Sequence, residues 1–389
     1  MTRYYTDRYI LSPGPTEIPN EIRLALARET TNPDLDPSFK EEYLQATRKI
    51  SYVIGARDHS VLIMLGEAML GLEASVASIL DRGDKAIVVA NGVFGEGFAD
   101  LVRAYGGEPV VVELDWRRSA NPEKVIETIE LNPDAKALYM VHCETPTAIL
   151  NSLAEIGRRL QKASTLFIVD AVSSIGGVKI DASEWGIDIL IGGSQKALNL
   201  PSGLTILAVS EKAWDAIGKR GPKGFYLNLA LWRDYIEKEE MPPYTLSDSM
   251  VSALNRSLDM ILSEGLESVF RRHQIAQKAC WHALRELGLE PYPRKFEDSS
   301  PTVTAAIVPE AIDSEILRAK IWNRYGVMLG GGIGRVRGRV IRIGHMGVTA
   351  SRNHVLIGVA ALARGLLDEG IITLKEYSRA VEAAERAFE

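Results

Sequence analysis

Lys196 stands in Gly192-Gly193-Ser194-Gln195-Lys196-Ala197-Leu198, twenty-six residues after Asp170, which closes the apolar run Leu166-Phe167-Ile168-Val169-Asp170. Such a run reads as a buried parallel strand, and its last residue should emerge at the carboxyl edge of a sheet. The next apolar run, Ile187-Asp188-Ile189-Leu190-Ile191, leads through the Gly-Gly-Ser turn to the lysine. Both residues are thus expected at the edge where open α/β sheets bind ligands. An amine and a carboxylate facing one cleft meet the needs of a pyridoxal-type ring. The amine forms a Schiff base with the aldehyde and shuttles a proton. The carboxylate keeps the ring nitrogen protonated so that the ring accepts electrons. An ion pair at about 4 Å, with an effective dielectric near 20, is worth roughly 4 kcal/mol. That is enough to move a ring nitrogen by about three pKa units. The alternatives are a solvated surface lysine and an aspartate that only caps a helix.

Two further positions carry chemistry of their own. Arg342 is isolated among apolar residues in Val340-Ile341-Arg342-Ile343. In a strand it points away from its neighbours, and its planar fork suits a carboxylate held at two points. Arg335, Arg337 and Arg339 fall on the opposite parity and read as solvated or rim charges. A nucleic-acid patch from Gly330 to Arg342 is the minor alternative. The turn Leu65-Gly66-Glu67-Ala68-Met69 opens a helix, since Leu70, Glu73, Ala74 and Ala77 continue at helical spacing. A helix N-terminus attracts an anion by about 0.3–1 kcal/mol, up to ~2 when partly buried. A carboxylate about 4 Å from one phosphate charge repels it by roughly 4 kcal/mol at an effective dielectric near 20. Glu67 therefore favours a hydroxymethyl group over a phosphate, unless it is protonated, turns away or merely caps its own helix.

The elements that must position these residues alternate along the chain. Residues 1–20 read as an extended arm, because Ser12-Pro13-Gly14-Pro15 and Pro19 prevent helix. From 21 to 250, strand runs (86–89, 109–112, 137–141, 166–169) alternate with amphipathic stretches (97–105, 122–130, 156–162). That pattern is the mark of a wound α/β domain. Residues 251–287 follow one long helical period, read as an interdomain helix. Residues 288–389 mix short strands with helices at 313–324 and 355–369, a smaller α+β domain.

The 389 residues suit this division. A net charge of −6 argues mildly against a nucleic-acid partner. Cys143 and Cys280 make no disulfide framework and no metal spacing, which favours a reduced, cytoplasmic setting and no metal site. The polar start Met1–Ile10 has no apolar core of a signal peptide, and no apolar run is long enough to span a membrane.

Four segments together resemble the class V branch of the fold-type I, pyridoxal-phosphate-dependent aminotransferases: Ser12-Pro13-Gly14-Pro15-Thr16, Asp170-Ala171-Val172-Ser173-Ser174, Gly193-Ser194-Gln195-Lys196 and Arg342-Ile343-Gly344. The resemblance spans nearly the whole chain. It implies a large mixed seven-stranded α/β domain, a smaller C-terminal α+β domain, and transamination between an amino donor and a 2-oxo acid. By the same resemblance Lys196 and Asp170 are catalytic and Val172 packs on one face of the ring. Phe94 stacks on the other, and Thr145 reaches the ring's 3-oxygen side. Glu67, Ala68 and Met69 surround the 5′-substituent, Gln195 also binds the cofactor, and Arg342 binds the substrate carboxylate. Thr245 reaches the phosphate of a neighbouring subunit, which implies a homodimer or a tetramer built from it.

Within the family, the likeness is to enzymes that take pyridoxamine itself as donor and pyruvate as acceptor. It lies in Gly66-Glu67, Leu70-Gly71-Leu72-Glu73-Ala74 and Arg342-Ile343-Gly344-His345-Met346-Gly347. The ligand is then unphosphorylated pyridoxal or pyridoxamine rather than bound pyridoxal phosphate. Three residues depart from that subgroup: Phe94 for tyrosine, Ala197 for cysteine, and Ile333 for a second substrate-facing arginine. The alternative is an alanine- or serine-glyoxylate (or pyruvate) aminotransferase holding pyridoxal phosphate. A cysteine desulfurase is disfavoured because Cys280 lies in a helical pattern.

Overall fold

The computed structural model describes residues 8–220 and 224–389. The first seven residues of the expected arm lie outside the described residues.

The large sheet has seven strands, in the order His59–Leu65, Leu204–Ser210, Ile189–Gly193, Leu166–Asp170, Ala137–Val141, Lys85–Ala90, Glu108–Glu113. Leu204–Ser210 runs antiparallel to both its neighbours, and every other pairing is parallel. The sheet is therefore mixed, as expected. Alternation decides which side chain serves which layer. Ile87, Val89, Leu138, Met140, Phe167 and Val169 pack in one core. Ala86, Val88, Ala137, Tyr139, Leu166 and Ile168 pack in the other. Side chains at i and i+2 share a face, so a sheet with helices on both sides needs apolar residues at every position. That requirement made these strands readable as continuous apolar runs.

The helices between the strands also follow their signals. Asn121 caps Pro122–Leu131 by accepting from the Glu123 N–H, with proline at the first position where no donor is needed. Residues 251–287, however, are not one helix. Asp248–Glu264 and Leu266–Glu286 break at Gly265, whose φ of 84° lies outside helical space. The first helix packs on Asn20–Leu26 and Pro37–Val53, and the second on Arg352–Asp368 and Leu374–Arg386.

A five-stranded sheet forms the C-terminal part, in the order Tyr9–Leu11, Val327–Gly331, Val340–Gly344, Val303–Ile307, Glu290–Pro291. Tyr9–Leu11 pairs in parallel with Val327–Gly331. The described part of the expected arm thus begins as an edge strand of the C-terminal sheet. It then crosses to the large sheet, where the Thr16 N–H donates to the Gln195 carbonyl at 3.2 Å.

Candidate active site

Six strands of the large sheet run the same way, and five of them lead into one site at their shared edge: His59–Leu65, Lys85–Ala90, Ala137–Val141, Leu166–Asp170 and Ile189–Gly193. The residues just past their ends are Glu67–Met69, Phe94, Cys143–Thr145, Val172–Ser173 and Gln195–Lys196. All of these except Glu144, together with Asp170 and Leu72, line one cavity of about 120 Å³. Nine of the eleven residues singled out from the sequence face it: Glu67, Ala68, Met69, Phe94, Thr145, Asp170, Val172, Gln195 and Lys196. Glu67 and Met69 form its exposed rim.

The Lys196 amine donates to the Pro13 carbonyl at 2.7 Å. The arm is pinned there by Thr16, whose hydroxyl donates to the Lys196 carbonyl at 2.7 Å. Gly14 makes this approach feasible. A Cβ at residue 14 would lie 2.4 Å from Lys196 Cδ, and its φ of 106° is one that side-chain-bearing residues rarely adopt. Burial, aided by the charge of Arg342, lowers the Lys196 pKa to about 8. A buried amine with that pKa is partly neutral at neutral pH, the state that adds to a carbonyl.

Asp170 does not cap a helix, since turns follow it. One of its oxygens accepts the Val172 N–H at 2.9 Å, and no described residue donates to the other. Burial raises its pKa to about 6, with the Val172 N–H and Lys196 pulling it down and Glu67 pushing it up. A protonated ring nitrogen would give this carboxylate the cation it lacks.

Arg342 is buried but does not itself line the cavity. Its Nε donates to the Gly331 carbonyl at 2.7 Å, and one Nη donates to the Thr145 carbonyl at 3.1 Å. It therefore stands one residue behind the wall. Burial lowers its pKa to about 10, so it remains a cation. The Thr145 hydroxyl is paired with that of Ser173. Gln195 lines the cavity with its side-chain oxygen buried and unpartnered. Its amide can present either the oxygen or, after a half-turn, the NH₂ group. The donor set, the amine and the unmet acceptors all fit a pyridoxal-type ring.

Glu67 precedes the helix Met69–Ile79, and Ala68 at the N-cap makes no side-chain capping bond. No described residue donates a hydrogen bond to the Glu67 carboxylate, so it is not capping its helix.

Thr245 lies apart from the cavity of its own chain. It is exposed, and its hydroxyl donates to Asp34 at 2.8 Å; Ser247, not Thr245, caps the following helix. Arg335, Arg337 and Arg339 are exposed, but not through strand parity, since residues 334–336 form a 3₁₀ turn and the strand starts at Val340. Arg335 pairs with Glu96 and lies 4.9 Å over the Trp116 ring. Ile333 is exposed beside it. Cys280 is buried within Leu266–Glu286, away from the cavity.

Sequence reasoning missed Leu72, Cys143 and Ser173 as cavity walls, together with the Pro13 carbonyl. Cys143 was legible in principle, because it follows the strand Ala137–Val141 as Thr145 does. The Pro13 contact joins residues 183 apart and has no local signal. No group of three or more histidine, cysteine or acidic side chains among the described residues could hold a metal ion. No helix among them is long and apolar enough to cross a membrane.

The family model described as aminotransferase class-V matches residues 8–333. A pyridoxamine–pyruvate transaminase of Mesorhizobium japonicum is 32% identical over 367 residues, covering 93% of each chain. A serine–glyoxylate aminotransferase of Methylorubrum extorquens is also 32% identical, over 95% of this chain and 94% of its own. The crystal structure of ureidoglycine–glyoxylate aminotransferase from Bacillus subtilis superposes with a TM-score of 0.92 at 28% identity, covering 99% of this chain and 100% of that one. The mixed seven-stranded sheet, the residues at its carboxyl edge and these full-length similarities agree: the chain is an aminotransferase of the class V, pyridoxal-phosphate-dependent family.

Proposed function

We propose that the chain transfers an amino group from pyridoxamine to pyruvate, releasing pyridoxal and L-alanine. The observation that carries this reading is Glu67, an unbonded carboxylate on the cavity rim at the opening of the helix Met69–Ile79. Where a phosphate would be held, this chain offers a negative charge. A hydroxymethyl group could instead donate to Glu67, and Gln195 supplies a second unmet acceptor. A protein named pyridoxamine–pyruvate transaminase is among the relatives at 32% identity, a value shared by a serine–glyoxylate aminotransferase, so the choice of donor rests on Glu67.

When bound, a pyridoxal-type ring supplies an electron sink for charge developing on the substrate carbon. Lys196 would hold the aldehyde form through its amine and, as the free amine, would carry the proton at the substrate carbon. Asp170 would hold the proton on the ring nitrogen. Phe94 and Val172 would enclose the ring's faces, while Thr145 would serve its 3-oxygen side. Ala68 and Met69 line the end nearest Glu67. Arg342 binds the carboxylate of pyruvate or alanine once the Thr145 wall admits it. The assembly is a homodimer in which Thr245 faces the partner's cavity.

A second reading, alanine– or serine–glyoxylate transamination with bound pyridoxal phosphate, is favoured by one feature. Ile333 carries no charge and Arg335 is committed to Glu96 and Trp116, so the described residues bring no second arginine to the cavity. Purified protein decides between the two. The first reading expects no phosphorylated cofactor on isolation, an absorbance change with added pyridoxal, and alanine formation from pyridoxamine and pyruvate. Isolation with stoichiometric pyridoxal phosphate and no turnover of pyridoxamine would establish the second.

A further inference from the structure

Glu144 is fully buried at the end of a two-residue strand, Cys143–Glu144, yet none of the chemistry above uses it. Its two oxygens are both spent on the segment that carries Phe94. One accepts the Gly95 N–H at 2.6 Å and the other the Phe94 N–H at 3.2 Å. These are first-turn donors of the helix Val93–Ala104, whose N-cap, Gly92, has no side chain to satisfy them. Helices usually meet this need with a serine, threonine or aspartate of their own at the N-cap. Here the acceptor comes from another strand, fifty residues away in sequence.

The surrounding glycine is shaped to that carboxylate. Gly92 has an extended φ of −178°, which any residue adopts. A Cβ there would nevertheless meet the Glu144 carboxyl carbon at 2.2 Å and Oε2 at 2.4 Å. Burying an acid this completely is costly, and burial, with the nearby Asp170 charge adding to it, raises its pKa to about 8. Solubility and core packing do not call for an acid at such a point. Fixing the backbone under Phe94 does.

We propose that Glu144 is a positioning residue for Phe94: by holding the Phe94 and Gly95 amides, it sets the height and tilt at which the Phe94 ring closes the cavity. The proposal rests on reading that cavity as the ring site, but it is testable without it.

The experiment uses the full chain with pyridoxal as probe and three variants. Measured at about pH 9, where the acid is ionised, Glu144→Gln keeps the shape but turns an NH₂ toward one of the two N–H groups. Gly92→Ala disturbs the same contact from the opposite side and leaves the acid in place. Phe94→Ala removes the ring that Glu144 is held to position. Pyridoxal affinity, from absorbance titration, is expected to fall about tenfold in Glu144→Gln and in Gly92→Ala. The induced circular dichroism of bound pyridoxal should fall with it. In the Phe94→Ala background, adding Glu144→Gln should cost less than about twofold, because coupled residues are not additive. Amide hydrogen exchange at Phe94 and Gly95, without any ligand, should speed up about tenfold in Glu144→Gln while the neighbouring strands keep their protection.

Wild-type affinity and dichroism in both Glu144→Gln and Gly92→Ala would overturn the proposal, and so would a Glu144→Gln loss that multiplies unchanged onto Phe94→Ala. If the wild-type chain binds neither pyridoxal nor pyridoxal phosphate, the ring-site reading fails, and the exchange measurement then decides the role of Glu144 alone.

Discussion

Replacing Glu67 with serine should exchange the preference of the site from pyridoxal to pyridoxal phosphate. The carboxylate is exposed, and no described residue donates a hydrogen bond to it. At about 4 Å from one phosphate charge, its repulsion is about 1 kcal/mol in a water-like rim and roughly 4 kcal/mol at an effective dielectric near 20, once ligand closes the cavity. The serine hydroxyl adds a hydrogen bond worth about 1 kcal/mol. Pyridoxal phosphate should therefore bind between about 30-fold and several thousand-fold tighter to Glu67→Ser than to wild type. Pyridoxal loses a charged acceptor and should bind about tenfold more weakly. Absorbance titration of both aldehydes against both proteins measures all four constants. Turnover of pyridoxamine and its phosphate with pyruvate gives an independent readout. The electrostatic origin adds a signature: raising the ionic strength should narrow the wild-type discrimination and leave that of Glu67→Ser nearly unchanged. If the ratio of the two affinities shifts by less than about threefold on substitution, Glu67 does not govern the 5′-substituent and the reasoning fails.

Lys196→Ala should abolish amino transfer, whichever donor is native. In the wild type, pyridoxal capture should accelerate as pH rises through about 8 and then level off. The neutral amine is the reactive form, and an ordinary lysine would keep gaining up to about pH 10.4; stopped-flow absorbance distinguishes the two profiles. Between those two values the unfolded chain holds the proton that the folded chain has released, so this residue's contribution to stability rises with pH across that window. Asp170→Asn should retain pyridoxal capture but lower turnover about 10³-fold, the equivalent of a ~4 kcal/mol ion pair. Arg342→Lys should raise the KM for pyruvate about 10- to 100-fold with little change in its capture of pyridoxal, since an ammonium cannot bond Gly331, Thr145 and a carboxylate together. Gly14→Ala should slow pyridoxal capture about tenfold or more, because its φ of 106° and a Cβ 2.4 Å from Lys196 Cδ both displace the lysine.

The chain order of strands and helices was legible because each strand of a sheet covered on both faces must be apolar throughout, as Leu138 and Tyr139 illustrate from opposite cores. The residues just beyond strand ends were legible for the same reason. Once Leu166–Asp170 and Ile189–Gly193 are recognised as parallel neighbours, Asp170 and Lys196 must share an edge. Periodicity could not reveal the break at Gly265, because a helix resumes on the far side with a similar apolar stripe and only the backbone angle differs. Strand parity likewise failed for Arg335, which sits in a turn held against Glu96 and Trp116.

What the residues alone determined was the chemistry available: an amine and an acid that local pattern sends to one sheet edge, and a guanidinium on a strand of the other sheet. Tertiary structure decided how those groups are tuned. The Lys196 pKa falls to about 8 because burial and Arg342 surround it. Its amine rests on Pro13, in an arm whose preceding strand pairs with the C-terminal sheet. Phe94 is held by an acid from another strand. Such contacts join segments distant in sequence, and their energies depend on burial and on distances of a few ångströms, quantities that exist only once the chain has closed on itself.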